Sequence, residues 1–208
     1  MRFGSQNTLG KISTRMAQIT VAPYKHRYPL AKLYPHGFTS PDAILCQTGL
    51  IRGNHVYIGS RVVLYRQISG GKIILGNRVH LNDGIRIETG LGGTVEIGEA
   101  TFVQPACQFS AYVGSIKVGK NVQIAPRCAF YPYNHGTSRD RSMTEQPAKS
   151  KGDIVIKDEA WLGYGTIILD NVSIGFGAVI GAGSVVTNDI PDYAIAAGIP
   201  AKIIKMRN

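Results

Sequence analysis

Residues 156–191 read "IKDEAWLGYGTIILDNVSIGFGAVIGAGSVVTNDIP". Every sixth position from the first is aliphatic: Ile156, Leu162, Ile168, Ile174, Ile180 and Val186. Four places after each comes a small or β-branched residue, namely Ala160, Thr166, Val172, Ala178, Ser184 and Ile190, with glycine or a polar residue in most of the gaps. An amphipathic helix would space its apolar residues at three and four, and a half-buried strand at two. A period of six fits neither. A fixed repeat points to a solenoid, in which each unit buries its apolar side only by stacking on the next.

The same register appears upstream at Val118, Ile124 and Phe130, at Ile97, Val103 and Phe109, at Leu75, Leu81 and Ile87, and at Ile58 and Leu64. Between these groups the frame slips by three to five residues. Slips after every third hexad predict a coil with three flat faces, each hexad being a short strand plus a corner, with the insertions confined to one corner. The expected fold is therefore all-β, a parallel β-helix of about six coils over 58–191. Gly76 with Asn77, Gly119 with Asn121, and Gly175 with Gly177 fall at the predicted corners, where glycine and asparagine accept positive φ. The two ends of such a rod are open strand edges that need covering. Residues 1–57 are read as an N-terminal basic cap segment and 192–208 as a short C-terminal cap.

One interruption is larger than the rest. After Phe130 the next hexad is due at residue 136, yet the register resumes only at Ile156, so a long loop is inserted at about 131–155. It carries His135, Arg139, Asp140, Arg141, Glu145, Lys149 and Lys151. Long loops without periodicity are usually functional or disordered, and insertions in a solenoid gather on one face, often the binding face. His135 stands where the coil gives way to the loop. An imidazole with an unperturbed pKa near ~6.5 is well matched to take a proton from a hydroxyl at neutral pH.

Composition narrows the classes. A chain of 208 residues with 44% hydrophobic content supports one domain with a core, and 25 glycines suit a rod of tight corners better than a helical protein. Three cysteines, Cys46, Cys107 and Cys128, do not make a disulfide framework, and no pair has metal-ligand spacing. No metal is expected. No stretch nears the ~20 apolar residues of a membrane helix, and Met1 to Thr20 lacks the apolar run of a signal peptide, so a cytoplasmic protein is expected. The net charge of +10 includes Arg2, Lys11, Arg15, Lys25, Arg27 and Lys32 before the first acid, Asp42, with prolines at 23, 29, 35 and 41. The charge is spread thinly and no nucleic-acid motif accompanies it. An anionic glycan, the phosphates of a cofactor, or a weak attraction to anionic surfaces accounts for it with less.

The run "VSIGFGAVIGAGSVVTNDIP" at 172–191, followed by "AAGIPAKIIK" at 196–205, resembles the hexapeptide-repeat acyltransferases with a left-handed parallel β-helix, and among them the galactoside, maltose and capsule or lipopolysaccharide O-acetyltransferases. The left hand comes from that resemblance, since ordinary parallel crossovers have the opposite one. It implies a homotrimer with each site between subunits, acetyl-CoA as donor, and a sugar or polysaccharide hydroxyl as acceptor. "KVGKNVQIAPRCAFYPYNH" aligns without gaps with the family's segment ending in its catalytic histidine, which falls on His135.

Other roles follow from the same resemblance. Trp161 and Gly163, in "WLGYGT", match the signature beside the pantetheine arm, and the backbone amide of Tyr164 falls where the family stabilises the thioester oxyanion. Ala182 and Thr187 match the coenzyme channel, and Lys202 and Lys205 in the C-terminal segment match lysines reaching the coenzyme phosphates. Asn188 stands where the family often has lysine. The family's substrate-orienting asparagine maps beside Gln104, and Asn134, Asn82 and Asp83 are further acceptor candidates, although corner turns explain Asn82 and Asp83 as well. His26, His36, His55 and His80 are read as structural or surface. An acetyltransferase for a small molecule such as an antibiotic or amino sugar, and a non-catalytic β-solenoid scaffold, are the alternatives.

Overall fold

The computed structural model describes Ile12 and residues 28–208. The expected basic residues Arg2, Lys11, Arg15, Lys25 and Arg27, together with Pro23 and His26, lie outside them. Within them, every aliphatic or aromatic residue of the hexad register from Ile58 to Val186 is at most 4% exposed. The hexad thus works as one inward side chain per short strand. Each fully buried aliphatic contributes roughly 1.5–3 kcal/mol relative to exposure, and the stacked rings of Phe109 and Phe130, 4.4 Å apart, fill the middle of the rod.

The chain winds through three parallel sheets in turn. In a typical coil, Phe102–Val103 lies on the first face, Gln108–Ala111 on the second and Ile116–Val118 on the third. Phe102–Val103 pairs with His80–Leu81 of the coil before and Gln123–Ile124 of the coil after. All the frame slips fall at the corner between the second and third faces, here the second corner. The corner between the first and second faces, the first corner, keeps a constant length.

Two features of the rod depart from expectation. The hexads predict about six coils starting at Ile58, but seven are present, because Phe38–Thr39, Ile44–Leu45 and Leu50–Arg52 form an additional coil inside the segment read as a cap. That coil puts Thr39, Leu45 and Arg52 opposite Ile58, Leu64 and Leu75. Two of the three are polar, because this coil closes the rod, and Arg52 Nη1 donates to Thr39 Oγ1 at 2.8 Å. Secondly, the helix Tyr28–Leu33 lies against the outer side of the first face instead of over the open end. Tyr28 meets Tyr57, His80 and Phe102 edge-on, and Ala31 is fully buried.

At the other end, Ala194–Gly198 adds to Val179–Ile180 in parallel, and Ala201–Met206 turns back antiparallel to cover it.

Candidate active site

The long insertion leaves the second face after Tyr131. The sequence suggests an irregular loop, but the segment has a sheet of its own, with Asn134–His135 pairing antiparallel with Ala148–Lys149. Its tip is closed by the buried Gln146, which accepts from Ser138 N–H at 2.8 Å and donates to the carbonyls of Ser138 at 2.9 Å and Arg141 at 3.2 Å. At its root the Tyr131 hydroxyl donates to Gln108 Oε1 at 2.9 Å.

Neighbouring side chains on a strand point to opposite sides. Asn134 turns towards the rod, where its Nδ2 donates to Asp170 Oδ1 at 2.9 Å. The other oxygen of Asp170 accepts from Lys151 N–H at 3.1 Å. Asp170 is itself buried, so a fixed carboxylate ties the first strand of the hairpin, and the chain just after the second, to the second corner. His135, on the opposite side of the strand, is exposed.

The first corner is built from a repeated four-residue turn with positive φ at its third residue: Arg61, Gly84, Ala106, Arg127, Gly165 and Gly183 in successive coils. Positive φ at that place is the mark of a type II turn, which also accepts proline at its second residue. Pro105 and Pro126 occupy that second place in two coils. Tyr164 occupies it in another. Its carbonyl accepts from Gly183 N–H at 2.7 Å, while its own N–H donates to nothing among the described residues. Ser60 N–H, in the first of these turns, is instead taken by Asp83 Oδ1 at 2.8 Å. Gly163 is required here, because a Cβ on it would come within 2.6 Å of Ala182 N in the coil above. The Arg127 guanidinium lies 5.9 Å from the centre of the exposed Tyr164 ring.

The predicted residues therefore divide between places. Asn134, His135 and Thr187 gather at the second corner, where Thr187 follows Val185–Val186. Gln104, Gly163, Tyr164 and Ala182 line the first corner. Trp161 faces outward on the first face, 54% exposed, and shares that sheet with the strand bearing the exposed Lys202 and Lys205. From Tyr164 to Asp170 are six residues of chain, which at ~3.3 Å each span roughly 20 Å. A single chain does not bring the two corners together.

Asn82 belongs to the fold instead of to a binding surface. Its Nδ2 donates to Val103 O at 2.8 Å and its Oδ1 accepts from the Tyr28 hydroxyl. Asp83 is the corner brace for Ser60 already described. The alternative reading of these two as corner residues is the one the geometry favours. Cys107 and Cys128 are buried free thiols. Among the described residues no group of three or more His, Cys, Asp or Glu could hold a metal ion, and no helix is long and apolar enough to cross a membrane. Asp170 and Gln146 were not visible as site residues in the sequence, since Asp170 meets Asn134 from another coil and Gln146 meets Ser138 and Arg141 only once the hairpin has closed.

No family model matches the chain. It is 38% identical over 114 residues to a putative acetyltransferase of Schizosaccharomyces pombe, covering 55% of this chain and 54% of that protein. It is 31% identical over 135 residues to the galactoside O-acetyltransferase of Escherichia coli, covering 54% and 64%. The match thus spans a little over half the length of these relatives. A hexapeptide-repeat-containing acetyltransferase from Vibrio cholerae superposes with a TM-score of 0.55 at 21% identity, over 97% of this chain and 94% of that one. The chain is thus similar to named acetyltransferases over its repeat, and it shares its three-faced parallel β-helix with the hexapeptide-repeat-containing neighbour.

Proposed function

We propose that the protein is an acetyl-CoA-dependent O-acetyltransferase acting in the cytoplasm, which moves an acetyl group to a hydroxyl of a sugar or polysaccharide with His135 as general base. The observation that carries this reading is the hairpin at Asn134–Lys149, the one long break in seven coils, which the buried Asp170 braces so that an exposed histidine is held beside the rod. A scaffold of stacked hexads has no need of such a device. The relative named galactoside O-acetyltransferase supports a sugar hydroxyl as the acceptor.

In this mechanism the imidazole takes the acceptor proton as the hydroxyl oxygen attacks the thioester carbon. The carbonyl oxygen gains negative charge and accepts the Tyr164 N–H, a preorganised donor of the kind that stabilises oxyanions strongly. The C–S bond then breaks, and the coenzyme thiolate takes the proton back from the imidazolium. Trp161, Ala182 and Thr187 line the donor's path, Lys202 and Lys205 meet its phosphates through charge-assisted bonds, Gln104 faces the acceptor, and Asn134 serves it indirectly, its bond to Asp170 holding the strand that carries His135. Because the base and the oxyanion donor lie a face apart in one chain, the working site joins the second corner of one subunit to the first corner of its neighbour, in a homotrimer. Holding donor and acceptor together supplies several kcal/mol, on the order of 7–11 in favourable cases.

The test is thiol release from acetyl-CoA over a panel of sugars and polysaccharide fragments, for the wild type and His135→Ala. Loss of about a hundredfold or more in the variant is expected for a missing base. Wild type that fails to bind coenzyme A would end the enzyme reading and leave the scaffold.

A further inference from the structure

The peptide group joining Gly163 to Tyr164 is planar and trans, so its C=O and N–H point in opposite directions. Its N–H faces outward at the first corner. Its C=O faces inward and is held by three donors: Thr166 Oγ1 at 2.7 Å, Cys128 Sγ at 3.2 Å, and Thr166 N–H at 3.3 Å. Thr166 is fully buried and Cys128 is 1% exposed. The last of the three bonds belongs to the turn itself; the hydroxyl and the thiol are additional.

The fold does not require them. The fourth residue of this turn is Val62 and Ile85 in the first two corners, and the turn still forms there, with Arg61 and Gly84 at φ 53° and 68°. From the third corner upward the same inward position reads Cys107, Cys128, Thr166 and Ser184, each donating to a corner carbonyl. The polar column starts where the coils approach the hairpin and continues to the last corner. Among the described residues Gly163 alone receives both a hydroxyl and a thiol at a corner carbonyl, while Gly181 receives Ser184 Oγ at 2.7 Å and, at 3.5 Å, Thr166 Oγ1.

We infer that Thr166, assisted by Cys128, is a positioning residue for the oxyanion donor: its hydroxyl fixes and polarises the Gly163–Tyr164 peptide so that the Tyr164 N–H is aimed at the thioester oxygen. This rests on the proposed role of Tyr164. A hydrogen bond accepted at the C=O of an amide strengthens the one its N–H donates, by about 10–30% per bond, and a donor already aimed needs no reorganisation as charge develops. The arrangement acts on the donor's strength and direction, not on affinity for the coenzyme.

The readout is the infrared stretching frequency of the thioester carbonyl in bound acetyl-CoA labelled with carbon-13 at that carbon, together with its Kd. It needs no acceptor. Tyr164→Pro removes the N–H in a turn that already takes proline at Pro105 and Pro126, while Tyr164→Ala keeps it. The wild-type and Tyr164→Ala proteins are expected to lower the frequency relative to free acetyl-CoA, and Tyr164→Pro to abolish that shift. If Tyr164→Pro retains the shift, the role of Tyr164 falls and this inference with it. Given that role, Thr166→Val should lose roughly a tenth to a quarter of the shift at unchanged Kd, Thr166→Ser should keep it, and Cys128→Val should lose less. A full wild-type shift in Thr166→Val would overturn the positioning role while leaving Tyr164 in place. Equal loss of shift and of binding in Thr166→Val and Thr166→Ser would overturn it too, since the side chain would then merely fill the turn.

Discussion

Asp170 accepts from the first strand of the hairpin through Asn134 and from the chain just after the second through Lys151. Removing a buried acceptor leaves its donors unpaired at about 1–3 kcal/mol, and here that cost falls on the hairpin more than on the coil. Asp170→Ala should speed amide hydrogen exchange across 134–151 while exchange in neighbouring coils stays as it was, and should lower turnover more than coenzyme binding. Unchanged exchange in the hairpin would show that something else holds His135. The histidine was legible in the sequence because its chemistry and its place at a break in the repeat coincide. Asp170 was not, because it looks like any corner residue in "LDN" and its partner Asn134 is 36 residues away in the chain. Asn82 could be read either way in the sequence for the converse reason: a polar residue at a corner resembles a ligand until its amide is seen to be occupied on both sides.

The helix Tyr28–Leu33 is held by a column of rings on the outer first face. Phe38, Tyr57, His80 and Phe102 stack at 5.4, 5.9 and 4.9 Å, with Tyr28 edge-on above them. Pro29 is tolerated in the first helical turn, where its missing N–H has no partner to lose. His80 is the weak point of the column. Its Nδ1 is buried without a hydrogen-bond partner, and burial, with the charge of Lys32 adding, lowers its pKa from 6.5 to about 4. Between those values the unfolded chain binds a proton that the folded one refuses, so this contribution to stability is complete above pH 6.5 and is lost as the pH falls towards 4. His80→Phe keeps the stack and removes the titration. Its melting temperature at pH 7 should be no lower than wild type, and its fall between pH 7 and 4.5 shallower; an unchanged fall would place the sensitivity elsewhere. The helix itself shows no apolar period in six residues, and only the ring column beneath explains it.

At the scale of the whole molecule, His135 and the Tyr164 N–H lie at different corners of the rod, and the proposed reaction needs both. A homotrimer that joins unlike corners makes this testable by complementation. His135→Ala and Tyr164→Pro subunits, each inactive alone, should recover about a quarter of wild-type activity when co-expressed in equal amounts, since mixing then gives a fraction of interfaces with both groups intact. No recovery, with mixed trimers demonstrated, would place the whole site within one chain. The seventh coil belongs to this scale as well: Thr39 and Arg52 break the apolar register, yet the backbone continues it, because a strand at the end of the rod needs a paired neighbour on one side only. The sequence by itself determined the rod, its three faces, the corner that takes insertions and the histidine at the largest of them, because one inward side chain per hexad leaves a periodic trace that any reader can count. Only the tertiary structure decided that the rod includes a coil at Phe38–Arg52, that Asp170 braces the hairpin, that the Asn82 amide is occupied within the fold, and that His135 and the Tyr164 N–H stand a face apart. Those relations join residues in different coils, and the pattern along the chain carries no record of which neighbour a side chain will meet.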